Sequence, residues 1–213
     1  MKLAMILLGA VATLTAMPAY AASASGDERA VMQSTARCLV AQAPADMRRW
    51  VLADGPMLMY QEVKAVSART GCSAAGVGFE YWAFRGALAE ALLFRDLQPG
   101  EEPDWAAVKA PTDIEIASNW KNPKGRSSYM TNVVAECVAQ SDVKGSLALL
   151  KTAPGSSDEA AALAGLRQDI TACRERSRGF ADKIPDDAFR ARLGLAAYEL
   201  NDAVHGAASG TGK

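Results

Sequence analysis

Four cysteines, Cys38, Cys72, Cys137 and Cys173, are spaced so that the first two lie 34 positions apart and the last two 36. This spacing constrains the fold more than any other feature of the chain. It contains none of the close C-x-x-C pairs that a zinc site or a redox dithiol needs. In an oxidising compartment the four read as structural disulfides, for which three connectivities are possible. The sequence around them chooses one. Cys38 is followed by a helical stretch with Trp50-Val51-Leu52, a turn at Gly55-Pro56, Cys72 and then Phe84-Arg85-Gly86-Ala87-Leu88. Cys137 is followed by Leu147 to Leu150, a turn at Pro154-Gly155, Cys173 and then Phe189-Arg190-Ala191-Arg192-Leu193. An order that occurs twice predicts one unit in two copies, with Cys38 bonded to Cys72 and Cys137 to Cys173. Each bridge would close a loop of about 35 residues and restrict the unfolded chain by on the order of 3–4 kcal/mol.

The beginning of the chain supplies the oxidising compartment. Met1-Lys2 precedes an apolar run from Leu3 to Met17, Pro18 would stop a helix, and Ala19-Tyr20-Ala21 has the small-x-small form of a cleavage site. Residues 1–21 read as a signal peptide cut between Ala21 and Ala22, since the run stops short of the roughly 20 apolar residues of a spanning helix. The protein is therefore expected in the periplasm or outside the cell. The best later apolar window, Ala87 to Leu93, is interrupted by Glu90, so no stable membrane insertion is expected after cleavage. Losing the leader removes only Lys2 from the 23 basic residues and leaves all 24 acidic ones. Such a balance makes no field that would draw nucleic acid.

Helix is the predicted element throughout. Ser25-x-x-Glu28 and Ser156-x-x-Glu159 are capping boxes opening helices over about 27–43 and 157–175. Leu163, Leu166, Ile170 and Cys173 then share one face, as do Met130, Val134 and Cys137 on the preceding helix. Phe84, Leu88 and Leu92 form a stripe matched by Phe189, Leu193, Ala197 and Leu200. The expected fold is all-α, with about eight helices in two duplicated, disulfide-stapled four-helix halves. Residues 22–96 form the first repeat and 128–204 the second. Residues 97–127, with Pro99, Pro103, Pro111 and Pro123, form a long connection with one short helix around Trp105, and 205–213 a disordered tail. Gly76 to Ala83 is the one stretch with extended character.

Chemistry is sparse. His205, the only histidine, sits at the edge of the tail, which argues against a histidine-based triad or metal site. Ser118-Asn119-Trp120-Lys121 and Lys151-Thr152-Ala153 echo the S-x-x-K and K-T-G of penicillin-binding enzymes, but in a proline-rich connection and at a helix end. Gly76-x-Gly78 lacks the lysine of a phosphate loop, and Lys121, Lys124 and Arg126 beside Trp120 read as a solvated loop. Glu62, Glu80, Glu90, Glu136 and Glu199 are carboxylates near apolar helix stretches, any two of which could in principle do acid and base work.

The densest unusual cluster is Phe79-Glu80-Tyr81-Trp82-Ala83-Phe84-Arg85, which suits core packing at the junction of the halves or the lining of a binding groove. Its groove reading nominates Tyr81, Trp82 and Arg85 as ligand-binding residues. Arg190 joins them because it follows the second phenylalanine as Arg85 follows the first. A repeated arginine can hold a carboxylate ligand; it can also cap a helix or pair with an acid, and the second account is favoured because both copies would need it equally. The leading expectation is a non-enzymatic exported protein whose helical surface binds a protein, a peptide or an envelope component. A small carboxylate-dependent hydrolase or carbohydrate-active enzyme and a structural envelope protein are the alternatives. No cofactor or metal is implied.

Overall fold

The computed structural model describes residues 25–53, 59–72, 80–109, 126–176 and 186–210. Within them the chain is all-helical, with nine α-helices, one 3₁₀ turn and no strand. The leader over 1–21, the turn at Gly55-Pro56, Gly76-x-Gly78 and the Ser118 to Lys121 match lie outside the described residues.

The helices begin where local hydrogen bonding demands it. In α1 (Gly26–Gln42), Ser25 accepts from the Glu28 N–H while Glu28 accepts from the Ser25 N–H, so two orphan donors are satisfied at once. Ala43 breaks the helix because Pro44 disfavours helical geometry at the residue before it. Pro44 then opens α2 (Pro44–Leu52), where a missing N–H costs nothing. Two helices, α3 (Met59–Thr70) and α4 (Tyr81–Asp96), complete this part of the chain. Tyr81, Trp82 and Ala83 thus form the first turn of a helix instead of an extended segment. The short helix expected around Trp105 is a 3₁₀ turn, Trp105–Ala107, with the indole fully buried.

Beyond the connection come α5 (Arg126–Ser141), whose first two residues fall inside the expected connecting segment, and α6 (Val143–Lys151). Asp142 caps α6 by accepting from the Gly145 N–H at 2.7 Å. The single helix expected over 157–175 is two, α7 (Ser157–Gly165) and α8 (Arg167–Arg176). At the break the Leu166 N–H is shared between the Ala162 and Leu163 carbonyls, beside the weak helix former Gly165. The last helix, α9 (Asp186–Gly210), runs into the expected tail, because Ala207 and Ala208 are strong helix formers.

The cysteines pair as their spacing predicts, Cys38 with Cys72 and Cys137 with Cys173, at Cα separations of 5.7 and 5.8 Å. Two disulfides and no free thiol among the described residues are the chemistry of an oxidising, extracytoplasmic compartment. No described helix is long and apolar enough to cross a membrane.

The centre of the fold is the crossing of α4 and α9. A Cβ on Gly86 would fall at most 2.7 Å from the Ala191 Cα, C and O, so only glycine lets the two backbones approach this closely. On one side of the crossing α1 and α2 pack on α4; on the other α5 and α6 pack on α9. The predicted stripes of the two crossing helices face this core: Phe84, Leu88 and Leu92 on α4, and Phe189, Leu193, Ala197 and Leu200 on α9, are buried.

Candidate functional site

Arg85 and Arg190 both end on helix C-termini. In the last turn of a helix the carbonyls lack intrahelical partners and carry the negative end of the dipole, so a guanidinium is a natural cap. Arg85, in the first turn of α4, donates to the Val51 carbonyl at the end of α2 from Nε at 2.9 Å and Nη2 at 2.5 Å. Arg190, in the first turns of α9, donates from Nη2 to the Leu150 and Thr152 carbonyls at 2.9 and 3.0 Å, at the end of α6. Its Nη1 reaches the Leu149 carbonyl at 3.3 Å and the Thr152 hydroxyl at 2.9 Å.

Arg190 also carries a buried ion network. It forks onto both oxygens of Glu90 at 3.0–3.2 Å and reaches Glu159 at 3.1 Å. Glu159 in turn accepts from Arg29 at 3.0 Å and from the Gly155 N–H at 2.6 Å, and Glu90 accepts from Gln33 at 2.5 Å. Burial pushes the Glu90 carboxyl above the usual range, against the pull of Arg190 and Arg37. All three Arg190 nitrogens are engaged by protein acceptors. The network ties α1, α4, α7 and α9 together in the core.

A second cluster lies around Trp82, which is half-buried in the first turn of α4. The Tyr81 ring meets it edge-on with centroids 4.8 Å apart. Arg192 of α9 lays its guanidinium carbon 3.9 Å from the Trp82 ring centroid and donates from Nη1 to Asn132 Oδ1 on α5 at 2.9 Å. Arg85 stands 5.6 Å from the same centroid, with Nη2 3.6 Å from Glu199, whose side chain is 47% exposed. Burial, and then the neighbouring Arg85, lower the Arg192 pKa to about 10, with Glu80, Tyr81 and Glu199 acting the other way. Glu136, half-buried on α5, is pushed up to about 7 by burial and then by Glu199. The face therefore offers an edge-to-face aromatic pair with a guanidinium over one ring and a carboxyl that exchanges its proton near neutral pH.

A third feature is a cavity of about 240 Å³ between α1 and α4. Gln33, Arg37 and Val40 line it from α1; Ala87, Ala91 and Phe94 from α4, with Arg95 beyond them. Glu90 contributes to the lining.

Tyr81, Trp82 and Arg85 thus come together, while Arg190 sits in the buried network. Of the five carboxylates singled out by sequence, Glu62 accepts from the Trp50 indole N–H, Glu90 pairs with Arg190, and Glu80 precedes α4 without capping it by its side chain. Glu136 and Glu199 lie within electrostatic reach of each other. Arg192 and Asn132 were missed as site residues. A signal for Arg192 was present, because it stands where the first Phe-Arg segment has Ala87. Lys151 ends α6 and Thr152 follows it as the C-cap, which is not the strand a K-T-G requires. His205 Nε2 lies 3.7 Å from Glu101. Among the described residues no group of three or more His, Cys, Asp or Glu side chains is placed to hold a metal ion. Comparison with protein-family models, curated proteins and solved structures yields no match.

Proposed function

We propose that this is an exported, non-enzymatic protein, built from two duplicated, disulfide-stapled four-helix halves, which binds a protein, peptide or envelope component through the face around Trp82. Export would proceed through a leader ending at Ala21. The duplication draws its support from bonds that recur at matching positions. Val51 and Leu150 lie equally far beyond Cys38 and Cys137, and they accept from Arg85 and Arg190, each of which follows the repeated phenylalanine. Gly86 and Ala191 also match each other, and they meet where α4 crosses α9, as the two copies of one position would on a pseudo-twofold axis.

The observation that carries the binding reading is the cluster at the start of α4, with the Arg192 guanidinium over the Trp82 ring, Tyr81 edge-on to it, Arg85 beside it and the half-exposed Glu199 at its margin. Half-buried aromatics with arginine are the residues that dominate recognition surfaces. The test is a photo-crosslinking amino acid in place of Tyr81, with the same residue in place of the exposed Leu52 as control. A partner crosslinked in the native compartment from position 81 and lost with Trp82→Ala is expected; equal capture from both positions refutes the assignment.

One observation favours a second reading. The Glu136 carboxyl, pushed up to about 7 beside Glu199, has the character of a general acid, as a carboxylate-dependent hydrolase would require. Turnover of an envelope polysaccharide that disappears in both Glu136→Gln and Glu199→Gln would establish that reading in place of the first.

A further inference from the structure

We propose that the cavity between α1 and α4 is a binding site for a small amphipathic carboxylate, its apolar tail against Val40, Ala87, Ala91 and Phe94 and its acid group held by Arg37 and Arg95. The cavity opens at the surface, where both arginines are exposed. Neither is in a salt bridge among the described residues; Arg37 donates from Nη2 to the Gln33 side-chain oxygen at 3.2 Å, which holds its guanidinium at the rim and leaves its other N–H groups for an anion. The one carboxylate among the described residues of the lining, Glu90, has its charge offset by the forked contact with Arg190. What remains is an apolar recess with two guanidiniums at its edge, complementary to one negative charge on an apolar stem. At about 30 Å³ for a water-sized group, 240 Å³ has room for a short alkyl chain.

The chain supplies its own comparison, and this step rests on the duplication proposed above. Counting from the matched cysteines, Gln33 and Arg37 on α1 correspond to Asn132 and Glu136 on α5. Counting from the matched phenylalanines, Ala87 and Phe94 on α4 correspond to Arg192 and Glu199 on α9. Between α5 and α9, a cation on an apolar stem, Arg192, reaches across to Asn132 with Glu199 favouring its charge. Between α1 and α4 alanine stands in place of that arginine, and the space is a cavity. The two acids are replaced by Arg37 and Phe94. The charge of the groove is inverted, so the guest that takes the place of the missing stem is an anion.

Titration calorimetry of the full disulfide-bonded protein with octanoate, octanol and octylammonium tests this. Saturable one-to-one binding of octanoate is expected, at least about tenfold tighter than octanol, with octylammonium not binding. Arg37→Gln and Arg95→Gln should each weaken octanoate about tenfold, the size of one charge-assisted hydrogen bond. Ala91→Leu, which fills the recess, should abolish binding without lowering the melting temperature. Octanol binding as tightly as octanoate, preference for octylammonium, or no binding at all overturns the proposal. Trp82→Ala should leave octanoate binding unchanged, so this result and the fate of the Trp82 face are read separately. The duplication is read separately again: octanoate binding that meets these criteria stands on the cavity and its arginines alone.

Discussion

Replacing Glu136 by glutamine should make the protein more stable above neutral pH and leave it unchanged in acid. The carboxyl titrates at about 7 in the folded chain against an ordinary 4.5, so between those values the native state keeps a proton that the unfolded chain releases. The sign follows: the contribution to stability is fully present below pH 4.5 and is lost as pH rises through about 7. At about 1.36 kcal/mol per pH unit the whole interval would amount to about 3.4 kcal/mol. Glu136 is only half-buried and Glu199 is half-exposed, so solvent screening brings the expectation down to about 1–2 kcal/mol. Glutamine keeps the shape and removes the charge. Urea unfolding followed by circular dichroism from pH 4 to 8, with the disulfides intact, should show wild type and Glu136→Gln within about 0.5 kcal/mol at pH 4 and the variant ahead by about 1–2 kcal/mol at pH 8. Glu90 also has a raised pKa, but it is present in both proteins and cancels in the difference. An offset that is the same at every pH, or a variant weaker at pH 8, would refute the assignment of an unfavourable charge to Glu136.

Arg190→Met should cost about 3–5 kcal/mol in the same assay, because it leaves Glu90 and Glu159 buried without their shared cation. Arg85→Met, which removes a cap on one carbonyl, should cost about 1–3 kcal/mol; equal losses would contradict the distinction drawn between network and cap. Gly86→Ala should cost about 1–3 kcal/mol by forcing α4 from α9, and a neutral result would mean the crossing is looser than described. Converting both Cys38 and Cys72 to serine should lower stability by about 3–4 kcal/mol, and a loss below 1 kcal/mol would show that the bridge does not constrain the unfolded chain.

The parts of the fold that were legible in the sequence are those set by short-range chemistry. Ser25 and Glu28 announce α1, because both capping bonds close within three residues. The cysteine spacings revealed the pairing because each bridge joins neighbours in one segment of chain. Where long-range packing decides, the sequence was silent. Nothing near Glu90 points to Arg190, 100 positions away; the pair exists because α4 and α9 cross at Gly86 and Ala191. Arg85 and Arg190 look equivalent in sequence, and both do reach a helix end, yet only Arg190 gathers two acids. Arg192 escaped notice because its significance lies in what it touches, Trp82 from one helix and Asn132 from another. The break at Leu166 and the extension of α9 to Gly210 turn on the weak and strong helix propensities of single glycines and alanines.

The most direct measurement is native mass spectrometry of the protein isolated from its own compartment without denaturation. A chain beginning at Ala22, lighter by four hydrogens for its two disulfides and carrying a bound protein, peptide or envelope partner that is absent from Trp82→Ala, is the result predicted for an exported binding protein. A bare chain with an intact leader, together with polysaccharide hydrolysis that depends on Glu136 and Glu199, would contradict it.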